Sequence, residues 1–320
     1  MRSPVRPDIA WRSVALGVCL VLATTACGAV GDASGDGAAP SGGPDPLVVV
    51  ATTSILGDLV ATLVGDDAEV DVVIPAGADP HTFSPSAQQA QLLRRADLVV
   101  ANGLGLEATL SDVLAAARDD GVRIFEVGPA LDPLALMPDG VADPHVWFDP
   151  LRMATGVILV AEQLAQADDR DGGVGAVQWE RRGAALADDL IRLDTEVGAI
   201  LAGVPVSRRQ LVTNHDSLGY LADRYGFEVI GTVIPGTSTQ VQPNARDVAA
   251  LGALIRSSGV PAIFVDAESA ADVARAMAGE VNGVMVVVLR TGSLGAPGSG
   301  AASYSELLLT TARLIADALA

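Results

Sequence analysis

Three histidines, His81, His145 and His215, are the residues in this chain whose type and setting could do chemistry together. Each sits in its own polar box: Asp79-Pro80-His81-Thr82-Phe83, Asp143-Pro144-His145-Val146-Trp147, and Asn214-His215-Asp216-Ser217. Neutral imidazole suits Zn2+, and three imidazoles with one open position form a known zinc arrangement. A proline directly before His81 and before His145 stiffens those loops. Asp79, Asp143 and Asp216 stand close enough in sequence to accept the second ring proton and orient each imidazole. Spacing alone does not decide the matter. A lone histidine on a loop is more often a surface or capping residue, and no short-range His-x-x-x-His pattern is present.

Each histidine follows an inferred strand or lies a short loop beyond one. Strands are expected at 47–51, 70–74, 97–102 and 122–127, with helices over 54–64 after a 52–54 turn, 86–95 and 106–118. A long helical zone comes next, 151–167 and 177–201, broken by the acidic, turn-rich 168–175. Trp179, Leu186, Leu190, Leu193 and Val197 fall close to helical spacing in the second of these helices. A second α/β series follows, with strands at 210–213, 228–233, 262–265 and 284–289, helices at 217–225, 245–257 and 270–277, and a closing helix at 303–319. The alternation gives an α/β class and the order lobe, long helix, lobe. In open α/β sheets ligands bind beyond the carboxyl ends of strands, which is where the histidines fall. Residues 292–302 form a small-residue loop, read as mobile.

Composition excludes several functions. The formal charge is −19 over 320 residues, and all 20 basic residues are arginine. A basic face for phosphate is lacking, so nucleic acid is not an expected partner. With no lysine there is no Walker-type loop, so the chain is not itself an ATPase, and Gly103-Leu104-Gly105 lacks the third glycine of a nucleotide fingerprint. Arg2, Arg6 and Arg12 precede the apolar run Ser13 to Ala23, which is too short to span a bilayer as a helix. Thr24-Thr25-Ala26-Cys27 then resembles a bacterial lipobox, with Thr24 where leucine is usual and Cys27 as the acylated residue. Removing that segment takes away three arginines and Asp8, moving the net charge to −21. Cys19 leaves with it, so neither a disulfide nor a thiolate metal site is expected. The Gly, Ala, Asp, Ser and Pro stretch 28–46 reads as a flexible tether. Trp147 and Phe148 read as packing residues, Glu107 as a local cap, and Arg208-Arg209 as a solvated charge pair.

Three longer stretches carry a resemblance. They are Gly77 to Ser86 with Ala96 to Glu107, then Asp143-Pro144-His145-Val146-Trp147-Phe148-Asp149-Pro150, then Thr213 to Tyr220 with Tyr225-Gly226-Phe227. From about Leu47 to the C-terminus the chain resembles the cluster A-I solute-binding proteins of zinc and manganese ABC importers. The resemblance implies two Rossmann-like lobes joined by one long rigid helix, with metal at the interface. His81 and His145 would come from an N-terminal lobe (47–175), His215 from a C-terminal lobe (204–320), and residues 176–203 would link them. It also implies an ABC permease and its ATPase as partners, a monomer, anchoring to the outer face of the cell membrane through Cys27, and binding without catalysis. Manganese members usually carry Glu where His215 stands, which favours Zn2+ over Mn2+. One departure is Thr291-Gly292-Ser293, where members often place an Asp ligand that Gly292 cannot supply. A fourth ligand would then be water, Asp266, Glu268 or a group from the 292–302 loop. The alternatives are a manganese-specific member, a zinc-dependent hydrolase, a binder of a metal chelate or other small solute, and an adhesin.

Overall fold

A computed structural model describes residues 46–136, 140–168, 173–234, 236–241, 244–268 and 284–320. The leader with Cys27, nearly all of the tether, and the expected helix at 270–277 lie outside the described residues. The first α/β series runs β1 (Leu47–Thr53), α1 (Ser54–Val64), β2 (Ala68–Ile74), α2 (Ala87–Arg94), β3 (Leu98–Ala101), α3 (Ser111–Asp119) and β4 (Arg123–Glu126). Its strands form one parallel sheet in the order β2-β1-β3-β4. A short antiparallel pair, β5 (Ala135–Leu136) and β6 (Val141–Ala142), follows and was not foreseen from sequence. Two long helices come next, α4 (Pro150–Ala167) and α5 (Ala176–Leu201). The second series is β7 (Gln210–Thr213), α6 (Gly219–Tyr225), β8 (Glu228–Thr232), α7 (Ala245–Ser258), β9 (Ala262–Asp266), β10 (Met285–Leu289) and α8 (Tyr304–Leu319). Its parallel sheet has the order β10-β9-β7-β8. The expected α/β architecture with two parallel sheets is what the chain adopts.

Local chemistry explains the element ends. β1 runs straight into α1 without the expected turn, because Thr53 ends the strand and caps the helix, its hydroxyl accepting from the Leu56 amide at 3.3 Å. Asp149 caps α4 by accepting from the Leu151 and Arg152 amides, with Pro150 at the first helical position. The single helix expected over 106–118 is split into a 3-10 turn, Ala108–Leu110, and α3. Gly103, Leu104 and Gly105 all adopt positive φ just before it, so the chain must make a tight reversal first.

Alternate residues of the central strands feed different cores, as a sheet covered on both faces requires. Val49, Ala51, Leu98, Val100, Leu211, Ala262 and Phe264 face a single central cluster that also holds the buried residues of α1, α4, α5 and α8. Val50 and Val99 face a smaller outer cluster under α2 and α3, and Val212, Ile263 and Val265 face another under α7. The central cluster is continuous from Leu47 to Leu319, so the two sheets share a central core in addition to the smaller outer cluster that each has.

Helix α5 is the spine of that core. Its 26 residues span about 39 Å, and Trp179, Gly183, Leu186, Leu190, Leu193, Val197 and Leu201 make a buried stripe along it. Gly183 sets the approach of α4, since a Cβ there would lie only 2.7 Å from the Ala161 Cβ. Gly183→Val is therefore expected to destabilise the protein by about 1–3 kcal/mol through overpacking, against a small gain in helix propensity. The midpoint of chemical denaturation checks this; an unchanged midpoint would show that α4 and α5 can part freely.

Candidate metal centre

Two of the three histidines sit beyond the carboxyl ends of parallel strands, and the third, His145, follows the antiparallel β6. His81 lies on the loop that leaves β2 at Pro75, and His215 lies two residues beyond the end of β7. His145 precedes the 3-10 turn Val146–Phe148, which leads into α4. The fold brings these rings together: the ligand nitrogens all lie within 4.8 Å of one another. The Nε2 atoms of His81 and His145 are 3.3 Å apart, and those of His215 and His145 are 3.2 Å apart. A tetrahedral zinc ion with bonds of about 2.0–2.1 Å holds its donors roughly 3.3 Å from one another, so the spacing fits an ion between the rings. All three are buried, at 5%, 1% and 3% exposure in chain order.

Two carboxylates fix which nitrogen faces inward. Asp143 Oδ1 takes both the His145 backbone N–H, at 2.9 Å, and the His145 Nδ1–H, at 2.7 Å. Asp266 Oδ2 lies 2.7 Å from His215 Nδ1 and takes its proton in the same way. With Nδ1 protonated on both rings, each Nε2 presents a lone pair. Two lone pairs then face each other across 3.2 Å, an arrangement that a cation or a proton relieves. Asp143 and Asp266, both buried at the rings, would also offset the charge of a divalent ion held between the three nitrogens.

The electrostatics follow from the same geometry. Burial holds His81 low, and the neighbouring His145 and His215 push further, to about 2, despite the opposing pull of Asp266. Burial also works against a charged His215, but the hydrogen bond and charge of Asp266 outweigh it and raise the ring above its ordinary value. Asp266 is held low in turn: the opposing effect of burial is overcome by its bonds to His215, Thr291 and Asn214.

Of the three aspartates expected to orient the rings, one does so. Asp143 serves His145 as expected. Asp79 instead accepts from the backbone N–H of His81 at 2.9 Å and from the Thr239 hydroxyl at 2.6 Å. Asp216 is replaced by Asp266, which comes from the end of the neighbouring strand β9, 51 residues away in sequence. The fourth-ligand candidates also find other work. Asp266 Oδ1 accepts from Thr291 Oγ1, and Glu268 pairs with Arg290 at 3.0 Å. Gly292 packs on Pro80, where a Cβ would lie 3.0 Å from the proline Cδ. The start of the 292–302 loop is tied down: Gly77 N–H donates to the Ser293 hydroxyl and the Leu294 carbonyl, and the Leu294 N–H donates to Ser54 Oγ.

Other side chains brace the site. Trp147 packs as expected and donates its indole N–H to the Thr291 carbonyl at 2.9 Å. Tyr304 donates to the Trp147 carbonyl at 2.7 Å, and Tyr220 to the Asp143 carbonyl at 2.9 Å. Glu107 is more than a local cap. It is buried and accepts from Thr52 and from the Asn102 and Gly103 amides, while the Asn102 side chain donates to the Pro144 carbonyl next to His145. Arg208 and Arg209 are not simply solvated: they donate to the carbonyls of Ala320, Val204 and Tyr225.

Residues 49–318 match the family described as zinc-uptake complex component A, periplasmic. The chain belongs to this family. Among its relatives is the zinc-binding protein TroA of Treponema pallidum, 33% identical over 237 residues, which cover 73% of this chain and 72% of that one. Another is the manganese-binding lipoprotein MntA of Halalkalibacterium halodurans, 25% identical over 291 residues, 91% of this chain and 93% of that one. The solved structure of the periplasmic zinc-binding protein TroA from Treponema pallidum superposes with a TM-score of 0.79 at 30% identity, covering 86% of this chain and 99% of that one. A Mn-bound periplasmic metal-binding protein from Candidatus Liberibacter asiaticus shares the fold, with a TM-score of 0.76 at 24% identity over 86% of this chain and all of that one.

The carboxylate assignment makes a direct prediction. Asp266→Ala should weaken metal binding about 10–100-fold with the fold retained, as loss of an outer partner of a histidine ligand usually does. Asp216→Ala should change affinity far less. Isothermal titration of both variants checks the pair, and equal losses would contradict the assignment.

Proposed function

We propose that this protein captures Zn2+ outside the cytoplasm through His81, His145 and His215 and hands it to the permease of an ABC importer, whose separate ATPase drives uptake. The observation that carries the reading is the convergence of three buried Nε2 atoms at zinc-ligand spacing, two of them locked in the metal-binding tautomer by aspartate. The family to which the chain belongs supports metal uptake. The choice of zinc rests on the donors: nitrogen ligands favour Zn2+ over Mn2+, which prefers oxygen. The TroA and MntA relatives are named for zinc and manganese respectively, so manganese is the alternative cargo. The protein binds and releases the ion without turnover. The two carboxylates bonded to the rings, Asp143 and Asp266, are each spent on orienting a histidine rather than on activating a water, which speaks against a zinc hydrolase.

Cys27 would carry the lipid that holds the protein at the outer face of the membrane, residues 28–46 would be the tether, and the protein would act as a monomer. Relatives named as lipoproteins support the anchor. Among the described residues no helix is long and apolar enough to cross a membrane, so attachment would fall to that lipid.

Competition titration of the metal-free domain from Pro46 onward, beside His215→Ala, tests the function. Equimolar zinc binding tighter than manganese, lost in the variant by more than the 10–100-fold typical of an outer partner, is expected. Manganese binding as tight as zinc would reassign the cargo, and no binding of either would refute the reading. The electrostatics add a pH prediction. His215 holds its proton above the ordinary imidazole range, and zinc must displace that proton. Apparent affinity is therefore constant in mild alkali and falls as pH drops through the raised value, approaching about tenfold per pH unit below it. Binding that stays level from pH 8 to 5 would contradict this.

A further inference from the structure

His145 and His215 are each locked by a carboxylate on the ring, but His81 is not: among the described residues its ring makes no hydrogen bond to a carboxylate. Its position depends on its backbone instead. The His81 N–H rests on Asp79 Oδ1, and the other oxygen of that carboxylate is held by the Thr239 hydroxyl at 2.6 Å. The His81 carbonyl accepts from the Gln240 side-chain amide. Thr239 and Gln240 lie on the segment that follows β8 in the second series, 160 and 159 residues from their partners. Pro80, between the two held residues, rests on Gly292 from beyond β10. The tripeptide Asp79-Pro80-His81 is thus gripped largely from the opposite half of the molecule. Among the described residues the ties of this loop to the first series include the turn bonds from Thr82 and Phe83 to the Asp79 carbonyl, the Thr109 hydroxyl on the Phe83 carbonyl, and the packing of Ala78 and Phe83 on the outer cluster.

We infer that Thr239 and Gln240 are positioning residues for His81, a latch that keeps this ligand over the site and sets how fast a bound ion leaves. The inference rests on the reading of the three histidines as a metal site. Neither residue touches the ion. When the second-series segment moves away, the His81 carbonyl loses Gln240 and Asp79 loses Thr239 at once, while His145 and His215 keep their carboxylates. The ion is then left with two ligands and dissociates. The latch therefore acts on the exit rate and leaves the ligand set and stoichiometry unchanged.

The test compares wild type with the Thr239→Ala/Gln240→Ala double variant and with Thr239→Ser, which keeps the hydroxyl. In the metal-free proteins, amide exchange at His81 and Phe83 followed by NMR should be faster in the double variant and unchanged in Thr239→Ser. In the Zn2+-loaded proteins, dissociation into excess chelator should be at least tenfold faster in the double variant, with association within twofold, one ion per chain, and Tm of the metal-free form unchanged. Unchanged amide exchange would overturn the contact. A dissociation rate within twofold of wild type, with zinc still bound one to one, would overturn the latch and leave the metal site standing. A double variant whose metal-free Tm falls along with its affinity would show a structural role only. A wild type that binds no zinc would sink the site itself, and the release role with it.

Discussion

The structure turns on the hydrogen bonds from two buried histidines to two buried aspartates. Asp143 and Asp266 each hold an Nδ1–H at 2.7 Å, and that single constraint turns both Nε2 lone pairs toward one point. Without these bonds the same rings could flip or exchange tautomers, and the site would be a polar cluster without a preferred guest. With them, it is an arrangement of lone pairs and negative charge that needs a positive species at its centre. A proton meets the need in part, as the raised affinity of His215 for one shows. A divalent cation with three nitrogen donors meets it more fully, because it engages every lone pair and balances both carboxylates.

Holding those carboxylates at depth takes a scaffold that does not relax. The central core runs without interruption from β1 to α8 through α5, so rotating one sheet against the other means repacking the stripe from Trp179 to Leu201. Interiors packed this closely resist such changes. Cross-links near the site work in the same direction: Tyr304 on the Trp147 carbonyl, Trp147 on the Thr291 carbonyl, and Leu294 on Ser54. Large hinge closure does not fit this frame. The carboxylate locks divide the three histidines accordingly. Two belong to the rigid frame, and one is borrowed from a loop that both halves must agree to hold.

Much of this was legible in the sequence, and the misses share one cause. The three histidine boxes, the strand-end placement and the α5 stripe follow from local signals of residue type, proline position and helical period. Asp143 was legible as a partner because it lies two residues from His145 on the same loop. Asp266 was not, because what joins it to His215 is the pairing of β7 with β9, a fact of topology rather than of spacing. Asp216 looked better placed in sequence, yet the bond to His215 Nδ1 comes from Asp266. Glu107 was underestimated for the same reason: its backward bonds to Asn102 and Gly103 become visible only once the 103–105 reversal is known. The β5–β6 pair carries too few residues to leave a period. Thr239 and Gln240 belong to a segment with no regular structure, so nothing local tied them to a loop some 160 residues earlier.

The central claim is that three imidazole nitrogens hold the cargo, and X-ray absorption at the zinc edge of the loaded protein tests it most directly. The account predicts imidazole scattering from three histidines with zinc–nitrogen distances of about 2.0–2.1 Å. A shell of oxygen alone, with no imidazole signature, would contradict it and leave the convergence of His81, His145 and His215 without a metal to explain it.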